Sequence, residues 1–193
     1  ARKILPPGSL AVLNAPPLLE SQPFKNYDLL SEMGSGGSST VYEAVYRPNG
    51  ATVAVKVLDP IQALRREFLE RVQPEALMLT QLEHDNVVMG YELGLEGGYH
   101  FFSMDNIDGL TVLEIIDRRG FLTNEESLSI THQVASALEY LHASGYLHRA
   151  VKPSNSMVDS EGRARLIDLG LVRDLTALTP GATGEDATTV GTV

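Results

Sequence analysis

The chain has 193 residues, 43% of them apolar and 21% charged, enough for one medium globular domain with a buried core. Its 15 Lys and Arg against 25 Asp and Glu leave a net charge of −10, which repels nucleic acid and anionic membrane surfaces, so any phosphate ligand has to be held by local donors. The absence of cysteine excludes disulfides, thiolate metal sites and thiol nucleophiles, and no run reaches the roughly 18 apolar residues of a bilayer span, which leaves the cytoplasm as the default compartment.

In chain order, residues 1–25 contain "PPG", "APP" and "QP", a composition that favours extended, poorly packed chain, and read as a flanking segment. From Tyr27 the texture changes to β-branched and aromatic runs, "YDLLSEM", "STVYEAVYR" and "TVAVKVL", the last two joined by the hairpin signal "PNG". They predict three antiparallel strands. A helical region is expected over 61–83, with Phe68, Val72, Leu79 and Leu82 on its apolar face, and Pro74 is expected to start, kink or break a helix. Two further strands, "NVVMGYEL" and "YHFFSM", flank a turn with Gly97 and Gly98. "LTVLEIIDRR" predicts a helix closed by Gly120, and "TNEE", Thr123 to Glu126, has capping-box spacing that opens a longer helix with Ile130, Val134, Ala137, Leu138 and Leu141 on one face. Short strands around "SMVD" and "RARLID" follow, joined by "SEG", and the Thr/Gly/Ala-rich tail from Thr176 reads as a loop.

Three stretches carry chemistry. In "GSGGSSTV", Gly34 to Val41, glycines between two strands let a backbone approach a polyphosphate and present N–H donors; a flexible turn is the alternative. "VAVK" ends in Lys56, either an ammonium that needs an anionic partner or a solvent-facing lysine on an edge strand; Glu75 in the following helix is a candidate partner. The third is "HRAVKPSN" from His148 to Asn155.

Together with "EHDNVV" and "DLG", these motifs occur in the order and at roughly the distances seen in protein kinases, which the chain resembles over Tyr27 to Val193. The resemblance implies an α+β, protein-kinase-like fold: a five-stranded antiparallel small lobe with one main helix over 26–105, then a mostly helical second lobe over 106–193, expected to be incomplete beyond the start of the activation segment. Without the remaining helices, the long helix from Thr123 is expected to expose part of its apolar stripe and the span alone to be marginally stable. The resemblance further implies ATP and Mg2+ as ligands and a protein substrate or signalling partner. Gly34 and Gly36 match the first two loop glycines, Ser39 stands where the third is usual, and Gly37 partly compensates. Val41 and Ala54 would cover the adenine, Met33 counts among the nucleotide-binding residues, and Lys56, paired with Glu75, would grip the α- and β-phosphates. Met104 sits at the gatekeeper position, where it also serves as core packing, and Asp105 to Ile107 form the hinge whose backbone would pair with the adenine edge.

Lys152 keeps the catalytic-loop pattern, and Asn155 and Asp168 match the metal-binding residues. Leu169 replaces the usual Phe and should still pack. "KPSN" is similar to serine/threonine kinases, and Thr192 resembles the threonine they place near the catalytic Asp and Lys. Thr188 and Thr189 fall where activation loops are phosphorylated, or are simply solvated. His148 reads as a packed structural histidine. The departure is Ala150, which stands where the family carries its catalytic Asp. A methyl group accepts no hydrogen bond, so nucleotide binding should survive and efficient transfer should not. A pseudokinase, a deliberately replaced base and a deviant residue all remain open as explanations.

Overall fold

The computed structural model describes residues 17–168 and 173–174. Its small lobe is a five-stranded antiparallel sheet made of β1 (Tyr27–Ser35), β2 (Ser39–Tyr46), β3 (Ala51–Leu58), β4 (Gly90–Glu96) and β5 (Tyr99–Asp105), in the order β1-β2-β3-β5-β4. Period-two alternation gives β3 two unlike faces. Val53, Val55 and Val57 enter an aromatic-rich core with Tyr27, Tyr99 and Phe101, while Ala54 and Lys56 face the other way. Gly97 and Gly98 both take positive φ, 56° and 87°, in the two-residue turn between β4 and β5, a conformation that side chains resist.

The expectation of poorly packed chain before residue 26 is corrected over 17–25. A short helix α1 (Leu18–Ser21) leads to Phe24, which is 1% exposed and packs edge-on against Phe101 at 5.0 Å between ring centres. The Gln22 side-chain amide donates to the carbonyl of Leu29 (2.9 Å) and accepts from its N–H (2.8 Å), lying on the outer edge of β1 as a strand backbone would. One buried aromatic side chain outweighs the proline-rich composition around it, because burying a phenyl ring stabilises by roughly 1.5–3 kcal/mol.

After β3, the helical region is two helices, α2 (Pro60–Ala63), capped by Asp59 through the N–H of Gln62, and α3 (Arg66–Leu79). The interruption falls at Leu64 and the extended Arg65, and α3 runs through position 74, so of the start, kink or break expected there the helix neither starts nor breaks. Proline removes one backbone hydrogen bond, and Met78 and Leu79 at the helix's far end are anchored in the core shared with Leu82, Val88 and Phe102. "NVVM" does not begin β4 as expected. Val87 instead bridges Leu166, with Val88 N–H donating to Leu166 O and Leu166 N–H to Asn86 O, each at 2.9 Å.

The second lobe contains β6 (Gly109–Thr111), α4 (Val112–Arg119), α5 (Asn124–Ala143), β7 (Tyr146–Leu147), β8 (Ser156–Asp159), β9 (Ala164–Leu166) and β10 (Arg173–Asp174). Strands β6, β8 and β9 form a three-stranded sheet, and β10 pairs with β7. Helix α4 starts two residues later than predicted, because Leu110 and Thr111 extend to pair with β8 and Thr111 then caps the helix in its own capping box with Glu114. The predicted box at Thr123 and Glu126 forms, and Gly120 closes α4 at φ 83°. On α5, Ala137 and Leu141 are fully buried against Leu166 and Ile107, with Val134 and Leu138 beside them and Ile130 only half-buried.

Candidate functional site

The site lies between the two sheets. From the small lobe, β1 contributes Met33, β2 Val41 and β3 Ala54 and Lys56; the register places Gly34 opposite Val41, and Val41 opposite Lys56. Since β3 is a central strand, the reading of Lys56 as an edge-strand surface lysine falls. The end of β5 and the following segment add Met104, Asp105, Asn106 and Ile107, and from the second lobe come Asn155, Met157, Ile167 and Asp168. These groups surround a cleft of about 210 Å³.

Its chemistry is divided. Val41 and Ala54 on one side and Met157 and Ile167 on the other make apolar walls suited to a flat ring. Polar groups gather at the other part: Lys56 Nζ lies 3.5 Å from Asp168 Oδ1, and the two side chains are 30% and 43% exposed. Asn155 is buried in the 3₁₀ turn Pro153–Asn155; its Nδ2 donates to the Ala150 carbonyl at 3.0 Å, which orients the amide, and its Oδ1 accepts from the Ser154 hydroxyl at 3.4 Å. Asp105 donates its N–H to Met89 O at 2.9 Å and its carboxylate accepts from Met89 N–H and the Tyr91 hydroxyl. These bonds, with the pairing of Asp105 to Val53 of β3, fix the end of β5 against its neighbours.

The loop before Asn155 is held by its backbone. Arg149 adopts φ 57°, uncommon for a residue with a side chain. Ala150 N–H donates to His148 Nδ1 at 3.2 Å. His148 is 1% exposed, and burial pushes its imidazole below the ordinary histidine range, with Asp168 opposing that shift. A neutral ring accepting at Nδ1 fits both facts and the packed role expected of it.

Gly34, Gly36, Gly37 and Ser39 sit on the β1–β2 hairpin beyond the cleft walls. None of the three glycines takes positive φ, and a Cβ added at Gly34 or Gly37 would meet nothing within 4 Å. The fold itself does not require glycine there. Lys152 is exposed and, with Ala150, lies outside the cleft lining. Glu75 is on α3, but its side chain lies outside the described residues, as do Leu169, Thr188, Thr189 and Thr192. The sequence reading missed Val88, Ser154, Met157 and Ile167 as lining residues, while Asn106 falls inside the hinge it named. Met157 and Ile167 were within reach of it: each lies within two residues of a singled-out polar residue, but an apolar side chain in a short strand reads equally well as core.

Among the described residues, no helix is long and apolar enough to cross a membrane, and no three His, Cys, Asp or Glu side chains cluster as metal ligands. A cation at this site would have Asn155 Oδ1 and the Asp168 carboxylate as protein ligands, a hard-oxygen set of the kind magnesium uses when phosphate and water complete its shell.

Comparison with known proteins bears on this arrangement. The family model described as "Protein kinase domain" matches residues 27–192. A probable serine/threonine-protein kinase of Clostridium perfringens is 36% identical over 153 residues, covering 79% of this chain and 22% of the relative. The serine/threonine-protein kinase PknD of Mycobacterium tuberculosis is 36% identical over 179 residues, covering 93% of this chain and 26% of its own length. The chain thus spans about a quarter of the length of these relatives. Among solved structures, the PknI kinase domain of M. tuberculosis superposes with a TM-score of 0.67 at 32% identity, over 76% of this chain and 59% of that one.

Proposed function

Because this chain belongs to the protein kinase family, we propose that its cleft binds ATP with magnesium in the manner of a serine/threonine kinase, and that transfer of the γ-phosphate to a protein Ser or Thr is severely impaired by Ala150. The observation that carries the reading is the convergence of Lys56, Asn155 and Asp168 on one cleft that also has the apolar walls Val41, Ala54, Met157 and Ile167. Bound ATP supplies the transferable phosphoryl group, and magnesium offsets its charge. The chain's own groups divide the remaining work. Val41, Ala54 and Met157 enclose the base, the carbonyl of Asp105 and the backbone of Ile107 pair with its edge, and Met104 limits the depth of the cleft. Lys56 holds the α- and β-phosphates, with Glu75 of α3 as a second partner for its ammonium. Asp168 and Asn155 Oδ1 hold the cation. The empty space around Gly34 and Gly37 supports phosphate approach to the hairpin amides, because glycine there leaves room that no protein atom takes.

At the catalytic loop, Lys152 keeps a cation beside the acceptor, and the 150 position faces it without a carboxylate. Orienting and deprotonating the hydroxyl contributes about a hundredfold to ten-thousandfold in rate. The alternative, a scaffold or pseudokinase in which nucleotide is a structural or regulatory ligand, is favoured by that same Ala150. The two separate on Ala150→Asp in a chain lengthened to the span of the solved kinase domains. Phosphorylation of itself or of a generic protein, gained with the substitution, supports the latent enzyme. Silence with intact Mg-ATP binding replaces it with the scaffold.

A further inference from the structure

Sulfur is unevenly placed in this chain. It has no cysteine and five methionines, and three of those, Met33, Met104 and Met157, line the nucleotide cleft. Met33 stands apart from the other two. Along the β1–β2 pair Glu32 lies opposite Tyr42 and Gly34 opposite Val41, so Met33 is the extra residue of a β-bulge. A bulge takes a side chain out of the strand's regular alternation, and this one brings Met33 to the cleft wall while leaving it 47% exposed. Met104 and Met157 are half-buried. The remaining two supply contrasts within the same molecule: Met89 is 37% exposed but outside the cleft lining, and Met78 is 5% exposed in the core.

We propose that Met33 is a modification site through which a peroxide controls the cleft: oxidation of its thioether to the sulfoxide expels the nucleotide, and a methionine sulfoxide reductase restores binding. This inference rests on the nucleotide reading of the cleft and adds its regulation. The sulfur attacks one oxygen of hydrogen peroxide, the O–O bond breaks, and the departing hydroxide takes the proton of the transferred oxygen and leaves as water; sulfur loses two electrons and the peroxide gains them. With no thiol to react first, the thioethers are the sulfur groups of this chain that meet the oxidant. A thioether is a flexible apolar wall that adapts to a flat ring. The sulfoxide sets an S=O dipole in its place, and the face of a base offers it no donor, so binding leaves a desolvated acceptor unpaired. Bound nucleotide covers Met33 in turn and shields it from the peroxide.

The test treats the full chain with hydrogen peroxide, with and without saturating Mg-ATP, follows each methionine by peptide mass spectrometry, and measures Mg-ATP affinity before and after by calorimetry. Met33 should oxidise at least about fivefold faster than Met78, and Mg-ATP should slow Met33 at least about threefold while Met89 keeps its rate, since susceptibility follows exposure. Conversion of Met33 should weaken Mg-ATP binding about 5–150-fold, and treatment with methionine sulfoxide reductase should restore it. In Met33→Leu, which keeps an apolar chain without sulfur, peroxide should change the affinity, whatever its starting value, by less than about twofold. An untreated chain with no affinity for Mg-ATP would overturn the nucleotide reading and this inference together. Four results would overturn this inference alone: a Met33 that reacts no faster than Met78, an affinity untouched by its conversion, a loss that reduction does not restore, or a Met33→Leu chain that peroxide disables as fully as the parent.

Discussion

Replacing Lys56 with Met removes the ammonium and keeps most of the aliphatic stem, so it separates the lysine's two roles. In the free protein, the Lys56–Asp168 contact joins side chains 30% and 43% exposed, and a pair so hydrated contributes at most about 1 kcal/mol. For a chain of this size that is about 2–4 °C in Tm. With ligand the balance differs. Mg-ATP at a hundredfold excess over its Kd should stabilise the parent chain by about 2.7 kcal/mol, or about 5–11 °C. A charge-assisted hydrogen bond to phosphate is worth about 1.5–3 kcal/mol, so its loss weakens binding roughly 10–150-fold and leaves about 1.4 kcal/mol or less of stabilisation at the same ligand concentration. Differential scanning fluorimetry should therefore show Lys56→Met melting close to the parent without nucleotide, and with at most about half the parent's shift in Mg-ATP. Adenosine, which has no phosphate, should shift both chains equally. A parent chain indifferent to saturating Mg-ATP, or a variant with the full shift, refutes the reasoning.

Phe24→Ala should lower stability by about 3–5 kcal/mol, since the ring is 1% exposed and packs on Phe101; thermal melts that match the parent would show that residues 17–25 are a free arm after all. The Glu126 carboxyl is held down at about 2, against an ordinary 4.5, first by Arg119 and then by the Thr123 cap. Its depressed folded value means the stabilisation is full above about 4.5 and is lost as pH falls toward about 2. Acid titration followed by circular dichroism should accordingly show a limb in that window that Glu126→Gln flattens, and an unchanged limb would remove the carboxylate from the cause. Gly109→Ala should destabilise by about 1–3 kcal/mol, because the added methyl meets the carbonyl oxygen of Val158 across the β6–β8 pair; a urea midpoint equal to the parent's would mean the strands part without cost.

Much of the small lobe was legible because its signals are local. The alternation in "TVAVKVL" settles which of its residues face the cleft, and "PNG" and the paired Gly97 and Gly98 mark reversals that only a few residue types allow. The capping box at Thr123 and Glu126 was readable for the same reason, whereas the one at Thr111 and Glu114 was hidden inside an apolar run that suits helix and strand alike. What was not legible depends on partners distant in sequence. Nothing near Phe24 announces Phe101, and nothing near "NVVM" announces that Leu166 will take its hydrogen bonds. In the site, charged residues stood out by their order along the chain, while Met157 and Ile167 needed the second sheet to be placed before their role as walls could be seen.

The bridge between Val87 and Leu166 acts as a rivet between the strip leading into β4 and the second lobe. Asn86 tightens it, donating to Gln133 at 3.0 Å and to the Ala164 carbonyl at 2.8 Å, so the strip leading into β4 is tied to α5 and β9 at once. Two plates fastened at one place would, if they turned about it, be displaced more with distance from the fastening. The β1–β2 tip, far from it along the sheet order, has the longest lever arm, and a small angular change that barely disturbs Val88 would move the Gly34–Gly37 amides furthest.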